Sequence, residues 1–505
     1  MSRPAAAVNR VIKAYDVRGL VGEEIDEQFV FDVGGAFARL MGGEGASGGQ
    51  ERSDSGKNQR GQERSDSGKK QRGQERSDSG VNRRVAIGHD MRASSPSLAA
   101  AFADGVAAQG LDVIRIGLAS TDQLYFASGL FDCPGAMFTA SHNPAAYNGI
   151  KLCRAGAKPV GKDTGLADIS AEVIDGVPTY DGPTGTIEDR DVLVDYAEFL
   201  RSLVDISDIR PLRVAVDAGN GMGGHTTPAV LGAIPPITLL PLYFELDGTF
   251  PNHEANPLDP ANLVDLQAWV VDSGADIGLA FDGDADRCFV VDELGHPVSP
   301  SAVTALVAAR ELGREIGATV IHNLITSRAV PELIVERGGT ALRSRVGHSY
   351  IKGLMAETGA IFGGEHSAHY YFRDFWGADS GMLAGLHVLA ALGEQDRPLS
   401  DLMADYQRYE ASGELNFTVT DAPACVDAVL KSFAGRIRSL DHLDGVTVDL
   451  GDGAWFNLRT SNTEPLLRLN VEARTTDEVD EIVGHVAAIV SSGTESVASG
   501  SGPAT

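Results

Sequence analysis

"LAFDGDADRCFVVDELG" (residues 279–295) runs from one apolar segment to another through three aspartates at alternate positions. Asp282, Asp284 and Asp286 follow the first apolar run directly. In an extended segment alternate side chains share a face, so the three carboxylates would converge on one point. Three like charges together are costly without a cation, and hard oxygen ligands suit magnesium or calcium. A calcium-binding EF-hand loop is the competing reading, and the spacing even places Glu293 at its twelfth position. Two features set it aside. The sixth position, which needs glycine for a sharp turn, is Arg287, and the flanks read as strands rather than helices. Arg287 beside the carboxylates suits a site where a metal and a guanidinium both face a phosphate. A solvated acidic hairpin is the plainer alternative.

Working outward, the same strand character recurs. RVAIG, DVIRIG, GAMFTA, RVAVDAG, ITLLPLYF, DIGLAFD and CFVVDE are short and rich in branched residues, and between them lie helical stretches such as SPSLAAAFADGVAAQG and SAVTALVAARELGREIG. This alternation implies α/β units with mixed or mostly parallel sheets. Turn-rich breaks near 180–190, 293–300 and 408–415 divide the chain into domains at 1–187, 188–297, 298–410 and 411–490, and 491–505 reads as a disordered tail. Residues 49–80 repeat a twelve-residue unit, GQERSDSGKNQR, twice complete and once truncated. With no aliphatic or aromatic residue the repeat cannot offset the entropy of ordering, and it reads as a disordered tandem duplication tolerated as a loop.

The 505-residue chain carries a formal charge of −28, which repels nucleic acid and anionic membranes. Any anion site must therefore be a local basic island. No run of eighteen apolar residues and no apolar segment near the N-terminus are present, so neither a membrane span nor a secretory signal is expected. Cys133, Cys153, Cys288 and Cys425 are scattered without a CxxC pair, which fits inert core residues in a reducing cytoplasm.

Three more stretches and a few basic residues carry chemistry. In "FTASHNPAAYNG" (138–149), Ser141 lacks the G-x-S-x-G elbow of a hydrolase, and His142 is its immediate neighbour. Adjacent side chains on an extended segment diverge, so a protease-like Ser–His couple is not expected. A serine near a magnesium site can instead carry a phosphoryl group, and a serine in a turn is the structural alternative. Glu365, Ser367 and His369 alternate in "FGGEHSAHYYF", a donor and acceptor set that matches sugar hydroxyls as well as an ordinary polar strand face. Arg459 with Ser461, Asn462 and Thr463 offers a guanidinium, hydroxyls and turn amides, a phosphate cradle or a simple Asn-containing turn. Arg18, Lys151, Arg345 and His348 are the candidates for the basic island.

Together these stretches resemble the α-D-phosphohexomutase family. The carriers are KAYDVRG (13–19), TASHNP (139–144), DGDADR (282–287), GEHSAH (364–369) and RTSNTEP (459–465), in the family's order over about residues 10–490. The resemblance implies an α/β fold of four domains around a central cleft: three related α/β domains with mixed sheets and a smaller C-terminal α+β domain. It further implies that Ser141 is the phosphoserine and that Asp282, Asp284 and Asp286 hold Mg2+, with the Ser141 phosphate as a further ligand. Glu365, Ser367 and His369 would bind sugar hydroxyls, with Arg345 and Gly347 also on the substrate, and Arg459, Ser461, Asn462 and Thr463 would grip the non-transferring phosphate. Arg18, His142, Lys151, Arg287 and His348 would line the reacting centre, Arg18 and Lys151 being the better candidates for proton transfer.

The implied reaction interconverts hexose 1- and 6-phosphates through a hexose 1,6-bisphosphate. TASHNP rather than SASHNP leans away from phosphoglucosamine mutases. GEHSAH is similar to the GEMSGH of bacterial phosphomannomutase/phosphoglucomutases, with His366 and Ala368 as departures. The expectation is a cytoplasmic phosphomannomutase that also acts on glucose phosphates, binds no nucleic acid or membrane, and is a monomer or weak homodimer. The alternatives are a phosphoglucomutase, a metal-dependent phosphatase that works through a phosphoserine, or a non-catalytic sugar-phosphate-binding protein.

Overall fold

A computed structural model describes residues 3–47, 83–460 and 466–495. The 49–80 repeat, Ser461, Asn462, Thr463 and residues 496–505 lie outside the described residues. Four sheets follow one another along the chain.

The first three share a plan. In the first, Asp112–Leu118, Arg84–His89 and Gly135–Phe138 run parallel, and Tyr147–Arg154 and then Val17–Leu20 add antiparallel. In the second, Ile237–Leu242, Leu212–Asp217 and Ile277–Phe281 are parallel, followed by antiparallel Cys288–Asp292 and Pro297–Val298. In the third, Thr340–Ser344, Thr319–Asn323 and Phe362–Gly364 are parallel, followed by antiparallel Tyr370–Phe372 and Ala378–Asp379. In each sheet the last parallel strand meets the first antiparallel one through a short loop: 139–146, 282–287 and 365–369. These loops leave from the carboxyl ends of parallel strands, where open α/β sheets place their ligands. The strands feeding them, Gly135–Phe138, Ile277–Phe281 and Phe362–Gly364, are buried throughout.

The fourth sheet is wholly antiparallel, in the order Glu410–Thr418, Leu466–Ala473, Ala454–Thr460, Val446–Gly451, Ser439–Asp441. Helices Ala422–Phe433 and Thr476–Glu495 accompany it, giving the α+β character expected of the last domain. One apolar cluster runs from the first sheet through the second to the third, joining residues such as Ile114, Met137, Val214, Leu279, Val320 and Phe362. The fourth domain has a separate core, from Val419 to Val490.

Two boundaries shift. Ile187–Asp189 pairs with Asp112–Leu118, so the first sheet extends past residue 187. An exposed strand of three residues is too short to show alternation. The final helix continues to Glu495, into the segment read as a tail, because Val479, Ile482, Val486 and Val490 keep one face buried. No described helix is long and apolar enough to cross a membrane.

Candidate active site

The 139–146 loop is a turn rather than an extended segment. Ser141 adopts φ +50°, a left-handed conformation that non-glycine residues rarely take. Its amide donates to Thr139 Oγ1 at 2.8 Å. The turn brings the neighbouring side chains together, contrary to the extended-segment expectation: Ser141 Oγ lies 3.2 Å from His142 Nδ1. This is still no protease couple. Arg287 donates to the same Nδ1 at 2.7 Å, so that nitrogen is already an acceptor, and Ser141 Oγ donates to Asp282 Oδ2 at 2.8 Å. Burial, with Arg287 and Arg18 nearby, pushes His142 down to about 2 and keeps it neutral.

The aspartates converge by the same device. The 282–287 segment is a turn with Ala285 at φ +59°, so the carboxylates meet because the backbone wraps around them, not because alternate residues share a strand face. Gly283 permits the approach of the two loops: a Cβ there would lie 2.4 Å from the Ser141 carbonyl oxygen. Asp282 accepts from Arg287 Nε at 2.9 Å, and burial pushes it up to about 7. Asp284 accepts from Thr121 Oγ1 at 2.6 Å and from Lys151 Nζ at 2.7 Å. Burial opposes its charge, but Lys151 holds it well below the usual carboxylate range. Lys151 also reaches Asp286 at 2.6 Å. Although burial alone would lower it, the two aspartates raise Lys151 above the ordinary lysine value and keep it a cation.

Ligand atoms of Asp282, Asp284 and Asp286 lie within 4.8 Å of one another. Asp284 Oδ1 and Asp286 Oδ1 are buried and have no hydrogen-bond partner among the described residues. Orphaned carboxylate oxygens of this kind are costly, and an all-oxygen set fits a hard divalent cation. The cluster could hold a metal ion.

The 365–369 loop faces this pair. Ala368 takes φ +64°, so here too a turn, not a strand face, gathers the residues. Glu365 accepts from Tyr371 OH at 2.7 Å, from the Gly347 amide at 3.0 Å and from Asn323 Nδ2 at 3.3 Å. Ser367 Oγ lies 3.0 Å from His369 Nδ1, and His369 Nε2 stands 3.9 Å from Asp286 Oδ1, linking the third loop to the second. Gly347, at φ +128°, leads into helix His348–Thr358. His348 packs edge-on against Tyr15 of the first domain, with ring centroids 5.4 Å apart. Burial and the Lys352 ammonium push it down to about 3, so His348 does not belong to the basic island as a charge. Arg345 is exposed and lies over the Tyr350 ring. Arg18 donates to Asn143 Oδ1 at 2.5 Å and to Asp16 at 2.6 Å, which places it against the serine loop.

Arg459 stands on the fourth sheet, where Glu414 accepts from it and from Arg468, each at 3.1 Å. That domain meets the third through Arg328–Asp449 at 3.0 Å, Arg343–Asp441 at 2.5 Å and the Val346 amide donating to Asp444 at 3.2 Å.

Several residues at the site carry no motif signal. Thr121 holds Asp284. Asp122 is fully buried and accepts from Ser120, from Tyr196 at 2.8 Å and from Ser380 at 2.6 Å, tying the first domain to the third. Lys352 pairs with Asp379 at 2.6 Å beneath Tyr371, the donor to Glu365. Arg92 lies under the serine loop and donates to the carbonyls of Ser141, Asn143, Pro144 and Tyr147. In "GHDMRASSP", Arg92 follows the buried strand by three residues, a position that sequence alone leaves as an ordinary surface charge.

Comparison with known proteins gives one consistent result. Residues 72–175, 194–295 and 299–409 match domains I, II and III described as "Phosphoglucomutase/phosphomannomutase, alpha/beta/alpha domain", and 414–489 match the corresponding C-terminal domain. The chain is 38% identical over 465 residues to a protein of Xanthomonas campestris named "Phosphohexose mutases", covering 92% of this chain and 94% of that one. It is 35% identical over 473 residues to a phosphomannomutase of Escherichia coli, with the same coverage. A crystal structure of a phosphoglucomutase/phosphomannomutase family protein from Burkholderia thailandensis superposes with a TM-score of 0.79 at 29% identity, covering 98% of both chains.

Proposed function

We propose that this chain, which belongs to the phosphoglucomutase/phosphomannomutase family of phosphohexomutases, interconverts mannose 6-phosphate and mannose 1-phosphate and also acts on glucose phosphates. The observation that carries the reading is the Ser141 hydroxyl held 2.8 Å from Asp282, at the meeting point of three loops from three sheets. A hydrolase serine would need a basic partner, and His142 is spent on Arg287. A serine committed to a carboxylate cluster suits phosphoryl transfer, in which positioning and charge stabilisation do most of the work.

In the proposed cycle, phosphorylated Ser141 gives its phosphoryl group to a hexose monophosphate, the bisphosphate turns over in the cleft, and its other phosphate returns to Ser141. Asp282, Asp284 and Asp286 would hold Mg2+, which when bound supplies charge neutralisation at the phosphoryl oxygens. Arg287, fixed on Asp282 and His142, presents a second positive charge to the same group. Lys151, which reaches Asp284 and Asp286, is the proton donor proposed for the departing oxygen, and Arg18 secures the serine loop through Asn143. Glu365 takes three protein donors, which fixes its carboxylate and leaves little acceptor capacity beyond one sugar hydroxyl. Ser367 and His369 complete that hydroxyl contact. Arg459 holds the phosphate that is not reacting, together with Ser461, Asn462 and Thr463.

The name of the 35% identical Escherichia coli relative, phosphomannomutase, supports mannose as the main sugar. Hydroxyl contacts at O3 and O4 are shared by glucose and mannose, which differ at C2. Four buried free cysteines suit a cytoplasmic setting. The test is incubation with mannose 6-phosphate and Mg2+ while mannose 1-phosphate and inorganic phosphate are followed. Phosphate release without isomerisation would refute the mutase, and kcat/KM for the two hexose 1-phosphates decides the preferred sugar.

A further inference from the structure

We infer that Arg92 is a positioning residue of the phosphoryl carrier: it fixes the left-handed turn at Ser141 and so commits the phosphoserine to the sugar rather than to water. The inference rests on the reading of Ser141 as that carrier. Every N–H of the Arg92 guanidinium is placed. Nη2 donates to the carbonyls of Ser141 at 2.9 Å and Asn143 at 2.6 Å, Nη1 to those of Pro144 at 2.9 Å and Tyr147 at 3.1 Å, and Nε to Asp90 Oδ2 at 3.2 Å.

The side chain is 1% exposed and Asp90 is fully buried. Asp90 is itself held by the Arg92 amide at 3.0 Å and by Ser95 Oγ at 2.5 Å, so the guanidinium has one available pose. A ring from the second domain, Phe250, lies 5.1 Å from it. Arg92 therefore joins the serine loop to the domain that brings the aspartates.

The turn at Ser141 directs loop carbonyls toward Arg92, and that of Pro144 also accepts the Tyr147 amide at 3.0 Å. Buried carbonyls need donors, and a single planar fork supplies four of them in a fixed array. Lysine has three donors on a flexible stem and cannot reproduce that array. The consequence is chemical. In productive transfer a sugar hydroxyl oxygen bonds to phosphorus as the P–Oγ bond of Ser141 breaks, and the hydroxyl's proton passes on to Oγ. In the wasteful branch a water oxygen bonds to phosphorus, the same P–Oγ bond breaks, inorganic phosphate leaves, and a proton passes from the water to Oγ. Sub-ångström placement of the phosphoserine decides between them.

The experiment labels Ser141 with 32P and measures, in wild type, Arg92→Lys and Arg92→Met, the partition of label between glucose 1-phosphate and water, alongside kcat, KM and thermal unfolding. Arg92 touches no substrate, so KM should stay within about threefold, while kcat falls ~10–100-fold, the scale of an ångström misplacement. The share of label lost to water should rise tenfold or more in Arg92→Lys, the variant that keeps the buried charge. An unchanged partition, with activity falling only as the unfolding temperature falls, overturns the inference. Absence of label at Ser141 in the wild-type protein overturns the carrier reading and this one together. Phe250→Leu, which leaves the loop contacts in place, should shift the partition in the same direction by about threefold, and no shift there with an altered KM counts against it.

Discussion

Ser141, Asp282 and His369 stand on loops of three sheets joined by one apolar cluster, the first sheet having a second cluster besides, whereas Arg459 stands on a sheet whose core joins none of them. The first group is also locked by contacts with almost no slack: the Ser141 hydroxyl on Asp282, Thr121 and Lys151 on Asp284, and Gly283 against the Ser141 carbonyl. The fourth domain is fastened to the third largely by half-exposed ion pairs, Arg328–Asp449 and Arg343–Asp441. Apolar burial is large and hard to undo piecemeal, while exposed ion pairs contribute at most about 1 kcal/mol each. On the proposed reading, the part of the site assigned to phosphoryl transfer is built into the shared core. The part assigned to the idle phosphate is attached through contacts that cost less to break.

The comparison is broken most severely by Ser141→Ala, which should cut turnover by several orders of magnitude while circular dichroism and thermal unfolding stay near wild type. Near-normal turnover would remove Ser141 from the chemistry. Next comes Asp122, where the first and third domains meet. Burial pushes its carboxyl up to about 6, above the unfolded value near 4, so the folded state holds the proton between those values. The stability owed to neutral Asp122 is present below pH 4, is lost as pH rises through 6, and stays lost above it. Chemical denaturation of wild type minus Asp122→Asn should therefore fall by about 3 kcal/mol between pH 4 and 7. A flat difference would mean the junction tolerates the charge.

On the other side of the comparison, Arg459→Ala should raise KM for hexose phosphates by roughly 10–100-fold, the scale of losing charged hydrogen bonds worth about 1.5–3 kcal/mol, and lower kcat less. Equal loss in both would place Arg459 in the transfer step. Asp441→Asn with Asp449→Asn should change kcat/KM by no more than about threefold, an effect that fades at 1 M salt.

The fold was legible because buried strands read as continuous branched runs, and the four chemical stretches stood out by residue type. The way they converge was not legible. Alternation in DGDADR and GEHSAH suggested strand faces, but Ala285 and Ala368 sit at positive φ, and the residues meet across turns. A left-handed alanine has no composition signal, since glycine is the residue that announces such a turn. Ala368 occupies the position where GEMSGH has glycine, which yields the smallest prediction: Ala368→Gly should stabilise the protein by about 0.5–1 kcal/mol in urea unfolding. Arg92, Asp122 and Lys352 were missed for another reason. Arginine, aspartate and lysine outside a motif read as surface charges, and only the packed structure shows them buried with partners.

The hydroxyl of Ser141 and the carboxylate of Asp282 are separated by 141 positions in the chain yet touch. A polypeptide leaving the ribosome N-terminus first exposes the serine long before the aspartates exist, and Glu365 and Arg459 later still. If Ser141 is the phosphoryl carrier proposed above, the nascent chain therefore holds no complete centre for it until almost all of the polypeptide has been translated.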